Sequence, residues 1–244
     1  MKLQNNLLKT VVLAMLVALG VVISPILRFE GMCPMAHFIN IVCAVLLGPW
    51  YSLLCATLIG IIRMAIMGIP PIALTGAIGG AFLSGVFYRV SKGKLLFAVL
   101  GEIIGTGIIG AILSYPVMTI FWGKEGLTWL FYVPSFICGT LIGGSIAFVF
   151  LKRLTKMGAL TKFQNMLSAK CYTDNGSDTE NAFTIAALGV ILYLIIEILT
   201  GIFQMSAPIW SYISYAALGI FILIAILYFI KKKVDKKCKK SEQP

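Results

Sequence analysis

Residues 35–67 read MAHFINIVCAVLLGPWYSLLCATLIGIIRMAIM, 33 residues in which Arg63 is the only Lys, Arg, Asp or Glu. As a single helix at about 1.5 Å per residue the run would be about 50 Å long, against a hydrocarbon core of about 30 Å. Gly48-Pro49 stands near its middle. Glycine ends helices and proline opens them, so the run divides into two spans. That division sets the span count for the whole chain at eight: about 7–27, 35–48, 50–67, 72–90, 95–121, 128–151, 183–203 and 207–230. The composition agrees with a membrane protein. The chain has 244 residues, 59% apolar and 12% charged, with a mean hydropathy of +0.98. Soluble domains carry about 25% charged residues, so a water-soluble globule is excluded. Eight spans of about 20 residues leave short loops and no separate soluble catalytic domain.

With eight spans, 17 of the 20 Lys and Arg fall on one side, in groups at 2–9, 89–94, 152–170 and 231–240. The positive-inside rule makes that side the cytoplasm and places both termini there, in a multi-pass protein of the cell membrane. Arg28 and Lys124 fall on the opposite side. Fusing spans two and three would still leave 16 on the inside, so length and the Gly-Pro pair force the split, not charge. The net charge of +11 is thus topology signal. It does not indicate nucleic acid, and the tail is suited to anionic lipid of the bilayer. The apolar stretch after Lys2 and Lys9 is longer than a usual signal-peptide core and lacks a good cleavage site, so it is kept as a span. The six cysteines show no CxxC spacing; neither a disulfide framework nor a metal site is expected, and no cofactor.

The organisation expected is a six-span unit over 1–153, a polar cytoplasmic linker over 154–182, a transmembrane helical hairpin over 183–230, and a basic cytoplasmic tail over 231–244, read as disordered. No internal repeat is visible, unlike many secondary transporters. The chain lacks GxxxxGK[ST] and GxSxG, has one histidine, and has no acidic cluster to hold magnesium. It is expected not to be an enzyme, and not to hydrolyse ATP itself.

Small residues four apart let helices approach closely in lipid. They occur at Ala14/Ala18, Gly76/Gly80, Ala81/Gly85, Gly101/Gly105 and Gly139/Gly143. Each serves either packing within the chain or docking of a partner. Ionisable and polar groups at bilayer depth are costly and commonly face a cavity or a partner. His37 and Asn40 share a face of span two, and are either headgroup-level residues or ligand contacts. Arg63 either snorkels or lines a site. Glu102 makes either a structural hydrogen bond between helices or a functional one, and Glu197 lies in span seven. Tyr115, Pro116, Thr119, Trp122, Trp129, Tyr132 and Ser135 cluster at the outer ends of spans five and six. They form an aromatic belt or, with His37, Asn40 and Arg63, an outward-facing pocket for a small, flat, partly polar ligand.

A six-span unit of this size with Ala14-xxx-Ala18 in its first helix resembles the substrate-binding S components of energy-coupling factor (ECF) transporters. Pro34-Met-Ala-His37-Phe-Ile-Asn40, Ala44-Val-Leu-Leu-Gly48-Pro49-Trp50-Tyr51, Arg63, and Gly101-Glu102-Ile-Ile-Gly105-Thr106-Gly107-Ile-Ile-Gly110-Ala111 with Ser114-Tyr115-Pro116 are similar to the ThiW family over about residues 7–153. The resemblance implies an all-α integral membrane fold, a six-helix S-component-like bundle to which this chain adds a C-terminal two-helix hairpin. It implies a pocket near the outer face, partly closed by the loop Leu27–Met35, for a small vitamin precursor, above all hydroxyethylthiazole for thiamine synthesis. The partners implied are a transmembrane coupling protein, docked on Ala14 and Ala18, and two ATPase subunits. His37, Asn40, Arg63 and Glu102 carry over as the family's polar positions. Tyr115, Trp129 and Tyr132 join them as substrate-binding candidates, with the heterocycle stacked on Trp129 or Tyr132. The Arg63–Gly76 connection departs from the family's Phe-Pro-Gly-rich segment, in a region that can line the pocket. The alternatives are an S component for another vitamin, a self-sufficient ion-coupled eight-span permease using Glu102 and Glu197, and a scaffold without ligand.

Overall fold

The computed structural model describes residues 2–26, 33–172, 178–202 and 208–241. Arg28, the Leu27–Met32 part of the loop after the first span, and the side chain of Glu197 lie outside the described residues. The described chain is helical, with no strand. It separates into two compact units, residues 1–174 and 175–244.

The first unit holds α1 (Lys2–Ile26), α2 (Pro34–Leu47), α3 (Pro49–Met67), α4 (Ile72–Val90), α5 (Leu95–Glu102), a π-helical segment (Ile103–Gly110), α6 (Ala111–Ile120), α7 (Val133–Lys156) and α8 (Ala159–Met166). The break predicted at Gly48-Pro49 is present. Gly48 has φ +95°, and a Cβ there would collide with the guanidinium of Arg89. Only glycine fits both the backbone and the space. Pro49 then opens α3 without losing a needed donor. α3 ends at Gly68 in the left-handed conformation (φ +61°), and Pro70-Pro71 lead into α4.

Helix α2, about 21 Å long at 14 residues, is too short to cross a bilayer alone. It is instead the centre of the unit: ten of its residues are buried, and it packs on α1, α3, α4, α5, α7 and α8. Long apolar helices of the same unit surround it. Among the described residues of the chain, the helices long and apolar enough to cross a membrane are Asn6–Ile26, Pro49–Met67, Ile72–Val90, Leu95–Ile120, Val133–Lys156 and Tyr212–Val234. Many of their large side chains face outward, such as Leu7, Met15, Leu113 and Leu223. An outside this apolar marks an all-α multi-pass membrane protein.

Helix α2, expected to be one of eight spans, is therefore a departure from the sequence expectation; three further elements of this unit differ as well. The span predicted over 95–121 is one run, but its middle eight residues, Ile103–Gly110, wind as a π-helix. The helix predicted from 128 begins at Val133, with Pro134 in its first turn, and continues to Lys156. Arg153 and Lys156 in its last turn suit the negative end of the helix dipole. Gly158, at φ +69°, then redirects the chain. The segment predicted as a linker starts with an amphipathic helix, α8. Leu160, Gln164 and Leu167 are buried, and Gln164 Nε2 donates to the Val45 carbonyl and to the Tyr88 hydroxyl, both at 3.1 Å. The glutamine thereby satisfies the C-terminal end of α2, whose last carbonyls have no partner within the helix.

The second unit is a helical hairpin of α9 (Asp178–Ile202) and α10 (Pro208–Ser241). Gly189 packs against Phe221, and the rings of Tyr193 and Tyr215 lie 5.6 Å apart. Where a disordered tail was expected, α10 continues to Ser241. No Gly or Pro follows Gly219 until Pro244, and lysine is a good helix former.

Candidate functional site

The small-residue seams sort themselves by what a Cβ would meet. At Gly76 it would strike Phe136, at Gly80 Thr106 and Glu102, at Gly85 the backbone of Pro49, at Gly105 the backbone of Gly79 and Gly80, and at Gly143 the carbonyl of Pro34 and the Cβ of His37. These seams bind α3, α4, the π segment, α2 and α7 to one another. Ala14 and Ala18 differ. Both are exposed, on a face of α1 shared with Val11, Met15 and Val22, while Leu13, Leu16 and Val17 are buried on the other side.

Close approach at Gly80 and Gly105 creates a buried polar centre. Glu102, the last residue of α5, has no solvent exposure. Its Oε1 accepts three hydrogen bonds: from His37 Nδ1 at 2.9 Å, from Asn40 Nδ2 at 3.0 Å and from Thr106 Oγ1 at 3.1 Å. His37 and Asn40 reach it together because residues three apart on α2 share a face. Thr106 reaches it across one turn of the π segment. Burying a carboxylate without such donors is prohibitive. Glu102 Oε2 has no partner, and a Cβ on Gly80 would lie 2.9 Å from it. The carboxylate thus occupies space that exists because residue 80 has no side chain.

Beside this centre is a cavity of about 90 Å³. Its polar lining is His37, Arg63, Thr106 and Ser135; Ile69, Pro70, Ile72 and Phe136 supply most of its apolar wall. His37 joins cavity and buried centre. With Nδ1–H directed at Glu102, Nε2 is the ring's acceptor when the imidazole is neutral and a second donor when it is protonated. Arg63 is 5% exposed, so it does not snorkel; its Nη2 lies 3.6 Å from Cys33 Sγ and its Nε is buried without a partner. Among the described residues the ion pair here is His37 with Glu102, and Arg63 has none.

The sequence-predicted candidates therefore separate. His37 and Arg63 line the cavity, and Asn40 and Glu102 stand behind His37. Tyr115 and Trp129 pack on each other, with ring centroids 4.5 Å apart, and Trp129 is 56% exposed. Tyr132 is buried with Ala111 and Met118 against Ile72 and Phe136; its hydroxyl has no partner, and burial raises its pKa. None of these three aromatics lines the cavity; among the described residues the phenyl or indole ring that does is Phe136. Sequence reasoning also passed over the roles of Thr106 and Gly80. The signal for Thr106 was its place four residues after Glu102. Gly80 carried no signal beyond one seam among five.

No curated protein and no solved structure matches the chain. A protein family does match: "Thiamine-precursor transporter protein (ThiW)", over residues 10–157. That match runs from the first turns of α1 to the residue after α7, and so contains the cavity, the buried polar centre and the exposed alanine face. The family is one of transporters, not of enzymes, and it covers more than half of the sequence: the chain belongs to the ThiW family of thiamine-precursor transporters.

Proposed function

We propose that the chain is the substrate-binding S component of an ECF-type transporter of the cell membrane, and that the cavity beside His37 holds a thiazole-type thiamine precursor, hydroxyethylthiazole being the first candidate. The observation that carries this reading is the position of His37. One ring nitrogen is anchored on a fully buried carboxylate, which leaves the other to meet a ligand in a small, mostly apolar chamber. Anchoring of this kind makes a binding group rigid before the ligand arrives, which lowers the cost of association. An analogue lacking the matching polar group leaves buried donors unpaired, which supplies selectivity. Asn40 and Glu102 act in this reading by holding His37, Arg63 contacts ligand, and Phe136 is the stacking ring in place of Trp129 or Tyr132. The termini lie in the cytoplasm, and the cavity opens on the opposite side.

Equilibrium titration of the detergent-solubilised protein tests this, read by calorimetry or by quenching of its four tryptophans. Saturable one-site binding of hydroxyethylthiazole, and not of thiamine, the pyrimidine precursor or riboflavin, is the expected result. Binding of another vitamin alone, or of none, overturns the thiazole assignment.

The same proposal assigns the face carrying Ala14 and Ala18 to the transmembrane coupling protein, which two ATPase subunits would drive. What supports this is that these alanines are exposed while the glycine seams are used inside the bundle. The double variant Ala14→Trp, Ala18→Trp is expected to lose co-purification of the coupling protein while keeping its ligand affinity, because neither side chain packs inside the bundle. Co-purification at wild-type levels would remove the assignment.

A further inference from the structure

We propose that the cavity recognises a compact oxyanion, a carboxylate in the first instance, carried by its small-molecule ligand and held by Arg63 at the converging N-terminal ends of α2, α4 and α7. The inference rests on the cavity being the substrate site, and holds that among thiazoles one with an anionic arm is bound ahead of the neutral alcohol named above.

Three helices begin at this cavity. Ala36 and His37 belong to the first turn of α2, Ile72 and Ala73 to that of α4, and Ser135 and Phe136 to that of α7. The three helices are 14, 19 and 24 residues long, and each starts without a side-chain cap and without an acidic residue in its first turn. A helix N-terminus carries the equivalent of about half a positive charge and favours anions. Here three such ends border one volume, and among the described residues no acidic side chain lines it.

Arg63 is the independent observation. The residue is 5% exposed, its Nη2 touches a neutral thiol, and its buried Nε has no acceptor among the described residues. A buried cation without a partner is strongly unfavourable. Among the described residues, the buried carboxylate Glu102 does not relieve it. Oε1 is occupied by His37, Asn40 and Thr106, and Oε2 lies against Gly80. Glu102 is committed to those three donors, and no carboxylate among the described residues is paired with Arg63. A planar guanidinium matches a carboxylate or phosphate edge with two parallel donors. A neutral alcohol fills the same volume and leaves that charge uncompensated.

The test compares two ligands of nearly equal size, hydroxyethylthiazole and 4-methylthiazole-5-acetate, which place a hydroxyl or a carboxylate at the end of the same arm. In phospholipid-free detergent the acetate is expected to bind about 10- to 100-fold more tightly, the range of one hydrogen bond to a charged group. Arg63→Gln is expected to weaken the acetate far more than the alcohol and so to remove that preference, and Arg63→Lys to keep part of it. Equal or tighter binding of the alcohol by the wild type, or an equal loss of both ligands in Arg63→Gln, overturns the proposal while leaving the thiazole reading intact. If neither thiazole binds but benzoate or inorganic phosphate does, dependent on Arg63, the anion site stands and the thiazole reading falls. Glu30 lies in the loop just before Cys33 in the sequence, outside the described residues; a preference for the acetate that emerges only in Glu30→Gln would name that carboxylate as the resident partner of Arg63 and overturn the proposal. Acetate binding that disappears in phosphatidylglycerol nanodiscs would give the site to a lipid phosphate, with the same consequence.

Discussion

Glu102→Ala is expected to cost both the stability of the bundle and its binding of hydroxyethylthiazole. The substitution removes the acceptor shared by His37 Nδ1, Asn40 Nδ2 and Thr106 Oγ1, and these donors sit where water does not replace it. Each orphaned buried group costs about 1–3 kcal/mol, so a loss of about 3–6 kcal/mol is expected after partial relaxation. Whole domains are stable by only about 5–15 kcal/mol. The measurement is thermal unfolding in detergent beside ligand titration. Glu102→Gln separates the two effects. Its carbonyl still accepts from the same donors, but its amide is placed against Gly80 with nothing to donate to. It is expected to fold, to melt lower than wild type, and to bind hydroxyethylthiazole about 10-fold more weakly, since His37 loses a charged anchor. Wild-type melting and affinity in Glu102→Ala would show that the buried centre neither holds the helices nor orients His37.

Gly105→Leu is expected to eliminate folded protein altogether. A Cβ at residue 105 would lie 2.5 Å from Gly80 Cα and 2.6 Å from the Gly79 carbonyl oxygen. Both are backbone atoms, so no side-chain rotation relieves the clash, and α4 would have to separate from the π segment. That separation would open the seat of Glu102, since Gly80 and Thr106 form its walls. Overpacking in cores that can adjust costs about 1–3 kcal/mol; here the neighbour cannot adjust, and the yield of monodisperse protein is the measurement. Gly68→Ala is the matched control. Gly68 also has a demanding role, at φ +61°, but no atom lies within 4 Å of its would-be Cβ. It is expected to cost about 1–2 kcal/mol, the penalty of a left-handed alanine, and to leave binding unchanged. Equal yields of the two variants would mean that the crossing is looser than its distances imply.

The expectations met by the structure share a physical origin. Segment length, apolar content and the Gly48-Pro49 break are local properties, governed by bilayer thickness and by backbone conformation at one residue. The ends of α2 were legible in the same way, although that helix, expected to be a span, is too short to cross a bilayer alone. The family was legible too, because its glycine- and proline-marked segments are contiguous in the chain. The departures arose where a neighbour decides. Lys, Gln and Asn in residues 159–172 look like linker residues, but Gln164 has two acceptors waiting on α2 and α4. Tyr115, Trp129 and Tyr132 have the depth and chemistry of a binding site, and that depth left open which way the rings turn. Two of them pack on each other and the third fills a core beside the cavity.

By itself, then, the sequence determined an all-helical membrane protein, the positions of its breaks, its family, and which few polar residues are costly at bilayer depth. Each of these follows from composition, length or motif along one strand of chain. The tertiary structure alone decided how those residues are used. It placed His37, Asn40 and Thr106, from two elements, on one oxygen of Glu102, and it set Arg63 apart from that centre among three helix ends. It turned four of the glycine and alanine seams inward and left Ala14 and Ala18 facing out. Small residues permit close approach wherever they occur, and only the arrangement of helices determines which of them is approached.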